Sequence, residues 1–269
     1  MNRSDSADPA ATPASPDLHP QRLDGRVAIV TGSGQNIGRA IAVRLAQAGA
    51  AVVVNGARSV DKVDRVVAEI RESGGRAIGV MADVGDAAQV QHMVRRAADA
   101  FGRVDIAVSN VGHRLHKPFA SITVDDWDDA IRTNLSSCFY LARCVVPMMR
   151  ERRWGRIVHV SGYDGFTGHL TNRAYNIAAK AGMHGFSKAI GRELGPDGIT
   201  ANTLVPGAID TERDWSQYPG TVVDDVRRRI PVRRWGHVDD LAHACLYLCT
   251  TGSFVNGQTI HLNGGEFMF

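Results

Sequence analysis

The sequence predicts an α/β protein in which one doubly wound parallel sheet lies between two layers of helices. Three observations support this fold class. Short, continuously apolar runs recur along the chain, as is typical of strands buried on both faces of a sheet. Stretches with helical spacing alternate with these runs, which requires crossover connections between parallel strands. A glycine-rich turn joins the first apolar run to the first helical stretch.

The first half of the chain contains four strand and helix steps. The β-branched run 27–30 ends at Thr31-Gly32, and the helical spacing that follows ends at Gly49. The second helical stretch ends at Gly74-Gly75, and two further steps follow. Strands are predicted at 27–30, 51–54, 78–81 and 106–109, and helices at 37–48, 63–70, 90–101 and 127–149.

The second half continues this pattern to the end of the chain. Strands are predicted at 156–161, 200–205 and 258–262, and helices at 174–194 and 238–249. The strand 200–205 ends at Pro206-Gly207. Together these elements predict a single three-layer domain of Rossmann type over residues 23–269.

Length and composition exclude several classes of protein. The 269 residues are 44% hydrophobic, so the chain can bury a sizeable core, and a net charge of +3 does not favour nucleic acid as a partner. The four cysteines lack metal-ligand spacing, which predicts no metal site and reduced thiols in a cytoplasmic protein. Residues 1–22 are predicted to be a disordered tail, because their Ala- and Pro-rich sequence resembles neither a signal peptide nor a membrane span.

The turn after the first strand predicts a phosphate-binding site. Ligands of such sheets lie beyond the carboxyl ends of the strands, where glycines allow close approach and a helix N-terminus favours an anion. The residues in this position are Gly32, Ser33, Gln35, Asn36, Ile37 and Gly38.

This turn and four later motifs resemble those of the short-chain dehydrogenase/reductase family, and in particular its 3-oxoacyl-(acyl-carrier-protein) reductases. The family pattern TGxxxGxG is present except that Asn36 replaces the middle glycine, and asparagine tolerates a positive φ best among the other residues. The further motifs are Asp83-Val84, Asn110-Val111-Gly112, Asn134, and the segment from Pro206 and Gly207 through Ile209 to Thr211. The resemblance covers roughly residues 23–266 and implies a nicotinamide dinucleotide cofactor, a small carbonyl or alcohol substrate and a homotetramer.

The end of the second strand bears on which dinucleotide is bound. Where an acid would bond the ribose 2′-hydroxyl of NAD(H), the sequence has Asn55, Arg58 and Ser59. Arg58 and Ser59 could pair with a 2′-phosphate, which favours NADP(H) over NAD(H). The alternative is that Arg58 is a solvated surface residue.

The catalytic motif departs from the family pattern. The resemblance implies a Tyr four residues before a Lys, a Ser at the preceding strand end and a helical Asn, here Asn134. In this chain Gly162 stands at the place of the serine, with Ser161 one step before it, and Tyr175 is five residues before Lys180. Lys180 is also expected to hold the cofactor ribose.

Two arrangements could accommodate the extra residue between Tyr175 and Lys180. A π-type turn would return Tyr175 to the face of Lys180 and make it the proton donor. Alternatively, the insertion lies in the loop before the helix, and Asn176 takes the place of the tyrosine. Tyr175 remains the first candidate for the proton donor.

Residues near the predicted catalytic site are candidates for binding substrate. His113 follows the Asn-Val-Gly turn and is also a candidate acid. The other candidates are Gly162, Tyr163, His169 and Trp215. The resemblance also implies a substrate lid at about 211–234, and the arginines of this segment favour a polar or anionic substrate.

Two functions are compatible with these features. The first is an NAD(P)-dependent oxidoreductase that interconverts a carbonyl and a secondary alcohol by hydride transfer. The second is a dinucleotide-binding sensor or structural protein with little dehydrogenase activity, suggested by Gly162 and Asn176. The retained Lys180 and Pro206-Gly207 favour the enzyme.

Overall fold

The computed structural model describes residues 22–114, 116–168, 171–212 and 220–268 of the chain. Within them, seven parallel strands form one sheet in the order β3-β2-β1-β4-β5-β6-β7. The predicted fold class, a doubly wound parallel sheet in a single domain, is confirmed. The predicted tail lies outside the described residues except for Arg22, as does part of the predicted lid.

The strands and helices alternate along the chain. The strands are β1 (Val27–Val30), β2 (Ala51–Gly56), β3 (Arg76–Met81), β4 (Ile106–Ser109), β5 (Gly155–Val160), β6 (Ile199–Pro206) and β7 (Thr259–Leu262). The helices are α1 (Asn36–Gln47), α2 (Val60–Glu72), α3 (Ala87–Phe101), α4 (Val124–Ile131), α5 (Ser137–Glu151), α6 (Asp164–Thr167), α7 (Ala174–Leu194), α8 (Gly220–Arg229) and α9 (Val238–Cys249).

Alternate side chains of each strand point into two apolar cores, one on each face of the sheet. Val30 of β1 packs in the core beneath α1, α2 and α9, whereas its neighbour Ile29 packs in the core beneath α3 and α5. Both side chains are fully buried. This two-sided burial explains why the strands are continuous apolar runs in the sequence.

The predicted helix 127–149 is divided in the structure. A π-helical turn, Arg132–Ser136, separates α4 from α5, and Asn134 lies within it. π turns of this kind occur mostly at functional sites. The predicted helix 174–194 is observed as α7 with the same bounds.

The order of the strands reverses between β1 and β4, so the chain leaves these neighbouring strands in opposite directions. The crevice beyond their carboxyl ends is where sheets of this class bind ligands. No helix within the described ranges is long and apolar enough to cross a membrane.

Candidate active site

The turn after β1 is held in place by the end of β2. Gly32 has a φ of +59°, and its backbone N–H donates to Asn55 Oδ1 at 3.1 Å. The Asn55 side-chain amide in turn donates to the carbonyls of Val80 and Ala82, both at 3.1 Å. Asn55, predicted to contact the cofactor, thus shapes the phosphate-binding turn from behind.

Gly38 brings the start of α1 against this turn. A Cβ on Gly38 would lie 2.4 Å from the carbonyl oxygen of Gly32 and 2.6 Å from Asn110 Nδ2. The Asn110 amide donates to the carbonyls of Thr31 and Gly32, at 3.1 and 3.2 Å. Only glycine fits at position 38, because the backbone of the turn occupies the space of a side chain.

Asn36 adopts the conformation that its place in the glycine motif requires. Its φ is +51°, and its side-chain oxygen accepts a hydrogen bond from the backbone N–H of Glu212 at 2.8 Å. The side chain therefore connects the phosphate-binding turn to the segment that follows β6. Gln35 provides no side-chain cap to α1, and the first turn of the helix has no acidic residue, so its amide groups favour an anion.

A cleft of about 360 Å³ lies beyond the carboxyl ends of β1, β4, β5 and β6. Below it is called the central cleft. It is lined by Gly32, Gln35, Asn36, Ile37, Gly38, Asn110, Val111, Gly112, Arg114, Val160, Ser161, Lys180, Pro206, Gly207, Ile209 and Thr211. All of these except Arg114 and Val160 are predicted site residues, so the structure brings together motifs that lie as far apart as Gly32 and Thr211.

The predicted cofactor residues at the ends of β2 and β3 do not line the central cleft. Arg58 and Ser59 are exposed between β2 and α2. Asp83 is exposed and accepts a hydrogen bond from the backbone N–H of Gly85 at 2.9 Å, while Val84 is buried. Lys62, which sequence reasoning missed, bonds through its amine to Gln35 Oε1. Lys62 lies three residues after Ser59, in the first turn of α2. This short spacing from the predicted 2′-phosphate residues could have identified it from the sequence.

Asn134 secures the loop that follows β4. Its side-chain oxygen accepts from the backbone N–H of His113 at 2.9 Å, and its amide donates to the carbonyls of His113 and Ala130. The π turn allows this buried side chain to face the loop. The side chain of His113 itself is exposed and does not line the central cleft.

Lys180 is the buried cation of the central cleft. Its amine donates to the carbonyl of Val160 at 3.2 Å, and only 3% of the residue is exposed. Burial, together with the charge of Arg114, lowers the pKa of Lys180 to about 8. This amine also lies 3.7 Å from the position of a Cβ on Gly112, on the surface that Asn134 faces.

Tyr175 and Asn176 lie on different faces of α7, which is a regular α-helix without a π turn. Tyr175 is fully buried near Asp126 and Lys117, and its pKa is raised by burial and by the Asp126 carboxylate. It does not line the central cleft. Asn176 is buried one helical turn before Lys180, so this geometry favours the second of the two arrangements, in which the insertion precedes the helix.

The end of β5 presents a hydroxyl and a glycine. Ser161 is buried and donates through Oγ to the carbonyl of Lys180 at 3.3 Å, so its hydroxyl is directed to the backbone of α7. A Cβ on Gly162 would meet no heavy atom within 4 Å among the described residues. There is room for a side chain where the family has its serine.

A group of charged residues lies beside Lys180. Asp164 Oδ2 accepts from Arg173 at 3.0 Å, and Arg173 contacts His116 Nε2 at 2.9 Å. Tyr163 is stacked on Phe267, with ring centroids 4.7 Å apart. The predicted substrate residues His169 and Trp215 lie outside the described residues.

The comparisons with known proteins agree with this geometry. A family model described as "Enoyl-(Acyl carrier protein) reductase" matches residues 32–266, which is most of the chain. The chain belongs to the short-chain dehydrogenase/reductase family. It is similar to the 3-oxoacyl-[acyl-carrier-protein] reductase of Synechocystis, with 34% identity over 249 residues that cover 92% of this chain and 99% of the relative.

Two further relatives show how varied the substrates of the family are. One is the BbsD subunit of the (2S)-[(R)-hydroxy(phenyl)methyl]succinyl-CoA dehydrogenase of Thauera aromatica, 37% identical over 92% of this chain and 98% of the relative. The other is the structure of a gluconate 5-dehydrogenase from Burkholderia cenocepacia with NADP and tartrate. It has a TM-score of 0.84 and 33% identity, and the match covers 91% of this chain and 96% of that one.

The family membership establishes the class of reaction. The protein is an NAD(P)-dependent oxidoreductase that interconverts a carbonyl and an alcohol by hydride transfer.

Proposed function

We propose that this protein is an NADP(H)-dependent dehydrogenase or reductase that acts on a small polar or anionic carbonyl or alcohol compound. The observation that carries this proposal is the central cleft, which runs without interruption from the phosphate-binding turn at Gly32 to the amine of Lys180. In sheets of this class a dinucleotide lies across the crevice beyond the strand ends, so its pyrophosphate and its reactive ring would occupy opposite ends of one continuous cleft.

The residues of the cleft fit a nicotinamide dinucleotide. Gly32 and Gly38 place no side chain between a pyrophosphate and the first turn of α1, and Pro206, Gly207, Ile209 and Thr211 line the far end, where the nicotinamide would lie. When bound, the dinucleotide supplies or accepts the hydride. Lys180 is placed to hold the ribose, and Asn134 keeps the loop at Gly112 and His113 in position.

The charges at the end of β2 support NADP(H). Arg58 is exposed and forms no ion pair with any residue that the structure describes, and the Lys62 amine lies beside Gln35 at the same edge. No carboxylate stands at the end of β2 to repel a 2′-phosphate, because Asn55 and Gly56 end this strand. A phosphate bound between Arg58, Ser59 and Lys62 would gain charge-assisted hydrogen bonds.

The substrate end of the cleft is cationic. Arg114 lines it together with Lys180, and Arg173 lies nearby in its ion pair with Asp164. The tartrate in the structure of the gluconate 5-dehydrogenase is a hydroxylated dicarboxylate, which is the chemistry that such a cluster would attract.

We further propose a homotetramer in the cytoplasm. Phe139 of α5 and Trp127 of α4 are exposed apolar side chains of neighbouring helices, as expected of a surface that another subunit covers. All four cysteines are free, which is compatible with a reducing compartment. Light scattering coupled to size exclusion would measure the mass of the assembly, and a monomer would contradict this part of the proposal.

The central experiment titrates NADPH and NADH against the protein by nucleotide fluorescence. It then follows the loss of NADPH absorbance with acetoacetyl-coenzyme A as a carbonyl probe, and its formation from NADP⁺ with gluconate and tartrate as alcohol probes. We expect Arg58→Ala to weaken NADPH binding by about tenfold or more, equivalent to about 1.4 kcal/mol, while NADH binding stays within about twofold. Arg192→Ala removes the same charge from the exposed end of α7 and serves as the control. Tight binding without turnover of any probe would instead favour the sensor.

A further inference from the structure

We propose that Lys180 itself delivers the proton to the carbonyl oxygen of the substrate, taking over the role that tyrosine has in this family. The inference rests on the proposed function, because it concerns the acid of the same reaction. It follows from which side chains line the central cleft, and from what surrounds the amine of Lys180.

Among the described residues that line the central cleft, Arg114 and Lys180 are the only ones that carry a protonated group at neutral pH. A guanidinium keeps its proton at any pH at which proteins are folded. Lys180 therefore carries the only ionisable group, among the described residues of the cleft, that can release a proton near neutral pH.

The other candidate acids are placed elsewhere. The hydroxyl of Tyr175 is buried near Asp126, outside the lining of the central cleft, and it has no hydrogen-bond partner among the described residues. Tyr163 does not line the central cleft, and burial raises its pKa. Asn176 stands where the family tyrosine would be, and its amide does not titrate.

The surroundings of Lys180 leave room for a substrate oxygen. Asn176 is shorter than tyrosine, and Gly162 has no side chain, so two groups that would separate the lysine from the substrate are missing. The Oδ1 atom of Asn176 is buried without a hydrogen-bond partner in the described part of the chain. Asn176 does not line the central cleft, so no polar group at position 176 competes with Lys180 for a substrate oxygen.

The charges around the amine suit a proton donor that works near neutral pH. Burial and Arg114, on the loop after β4, lower the pKa of Lys180 to about 8, whereas Asp164 on α6 and Cys138 on α5 raise it. His159 on β5 and His184 on α7 also face Lys180, but burial holds the pKa of these two at about 3 and about 4, so both are neutral at pH 7. A donor with a pKa near the working pH is protonated often enough and releases its proton readily.

The proposed step balances as follows. As the hydride reaches the carbonyl carbon, the π electron pair moves to the carbonyl oxygen. An Nζ–H bond of Lys180 breaks and an O–H bond forms, which leaves the alcohol and a neutral amine. The amine then takes a proton from solvent, and the reverse sequence oxidises an alcohol.

The test compares variants of the full chain with acetoacetyl-coenzyme A as the probe for reduction and gluconate as the probe for oxidation. Lys180→Arg retains the charge but not the exchangeable proton, and we expect kcat to fall about 100-fold or more. We expect NADPH affinity to stay within about threefold, since an arginine can still bond a ribose hydroxyl. Lys188→Arg, the same change at an exposed position of α7, controls for the substitution.

Three further measurements separate the proton donor from a structural lysine. In the parent, kcat/KM for reduction should fall as the pH rises above about 8, and NMR of the labelled lysine amine should show an inflection near the same pH. In the Lys180→Arg variant, adding Asn176→Tyr supplies a phenol one turn before the arginine and should restore at least about a tenth of the parent kcat.

Four outcomes would overturn the inference. Turnover that survives Lys180→Arg overturns it alone, as does an amine pKa above about 10. A loss of kcat in Tyr175→Phe or His169→Gln as large as that in Lys180→Arg would transfer the role to that residue. Absence of turnover with every probe would overturn the proposed function as well.

Discussion

The cofactor half of this protein, from β1 to α5, and its catalytic half, from β5 onward, satisfy their buried polar groups very differently. In the described part of the chain, every buried side-chain N or O atom without a hydrogen-bond partner lies at residue 156 or later. They include Asp164 Oδ1, the Tyr175 hydroxyl, Asn176 Oδ1 and His184 Nε2. In the cofactor half, by contrast, even Asn36, which replaces a family glycine, accepts a hydrogen bond from the backbone N–H of Glu212.

This difference reflects what each half binds. A cofactor shared by many enzymes can be bound by a fixed turn whose polar atoms are already bonded to one another. Buried polar atoms that lack a partner cost about 1–3 kcal/mol each, so their occurrence in the catalytic half of the described chain indicates a region shaped for chemistry rather than for stability.

The comparison can be tested first at two glycines. Gly38→Ala places a methyl group 2.4 Å from a backbone oxygen. We expect this clash to lower the free energy of unfolding by about 3 kcal/mol and to weaken NADPH binding more than about tenfold. Gly162→Ala, in the catalytic half, meets no neighbour within 4 Å and should leave both nearly unchanged. Urea denaturation and nucleotide fluorescence measure the two effects. Equal losses in the two variants would show that the cofactor half is no more tightly constrained than the catalytic half.

The cofactor half could be predicted from sequence because its function depends on backbone geometry. The Gly32 and Gly38 positions follow from the need for a tight turn and close approach, and Asn36 was expected to tolerate the positive φ that it adopts. What the sequence did not show is that Asn55 supports the turn from behind, because a hydrogen bond between residues 23 positions apart leaves no local pattern.

The catalytic half could be predicted only in part. The sequence showed that Tyr175 is five positions before Lys180, but it could not show whether a π turn or the preceding loop absorbs the extra residue. The structure has a π turn at Asn134 instead, and α7 is regular. Helix periodicity alone did not reveal that the predicted helix 127–149 is interrupted at Asn134. The apolar spacing remains helical within each of the two segments that the π turn joins.

Two buried asparagines sharpen the comparison. Asn55→Ala removes the hydrogen bond that Asn55 accepts from the phosphate-binding turn and those that its amide donates to the carbonyls of Val80 and Ala82. We expect a loss of about 2 kcal/mol in the free energy of unfolding. Asn176→Ala deletes an oxygen that has no partner among the described residues and should cost less. Urea denaturation of the two variants side by side measures the difference. A greater loss in Asn176→Ala would mean that its amide is a structural group.

The two halves should also differ in their response to acid. Burial holds the folded pKa of His159 at about 3 and that of His184 at about 4, below the ordinary value of 6.5. The unfolded chain therefore takes up these protons first, so the stability present above pH 6.5 is lost as the pH falls toward 4. Each histidine contributes a slope of at most about 1.4 kcal/mol per pH unit.

Replacing one histidine in each half tests this difference. His159→Gln should reduce the slope of unfolding free energy against pH between pH 6.5 and 4.5, measured by urea denaturation at each pH. His92→Gln, an exposed position of α3 in the cofactor half, should leave the slope as in the parent. An unchanged slope in His159→Gln would show that this histidine is not buried as a neutral group.

The smallest effect is expected at Asn36, where the cofactor half departs from its family. Asn36→Gly keeps the φ of +51° without strain and loses one hydrogen bond to Glu212. The free energy of unfolding should therefore change by less than about 1 kcal/mol, and the KM for NADPH by less than about fivefold. Asn36→Ala loses the same bond and adds the strain of a left-handed alanine, about 1 kcal/mol more. Urea denaturation and initial rates measure both variants. If the glycine and alanine variants lose equally, the hydrogen bond to Glu212, and not the backbone conformation, is what asparagine provides at this turn.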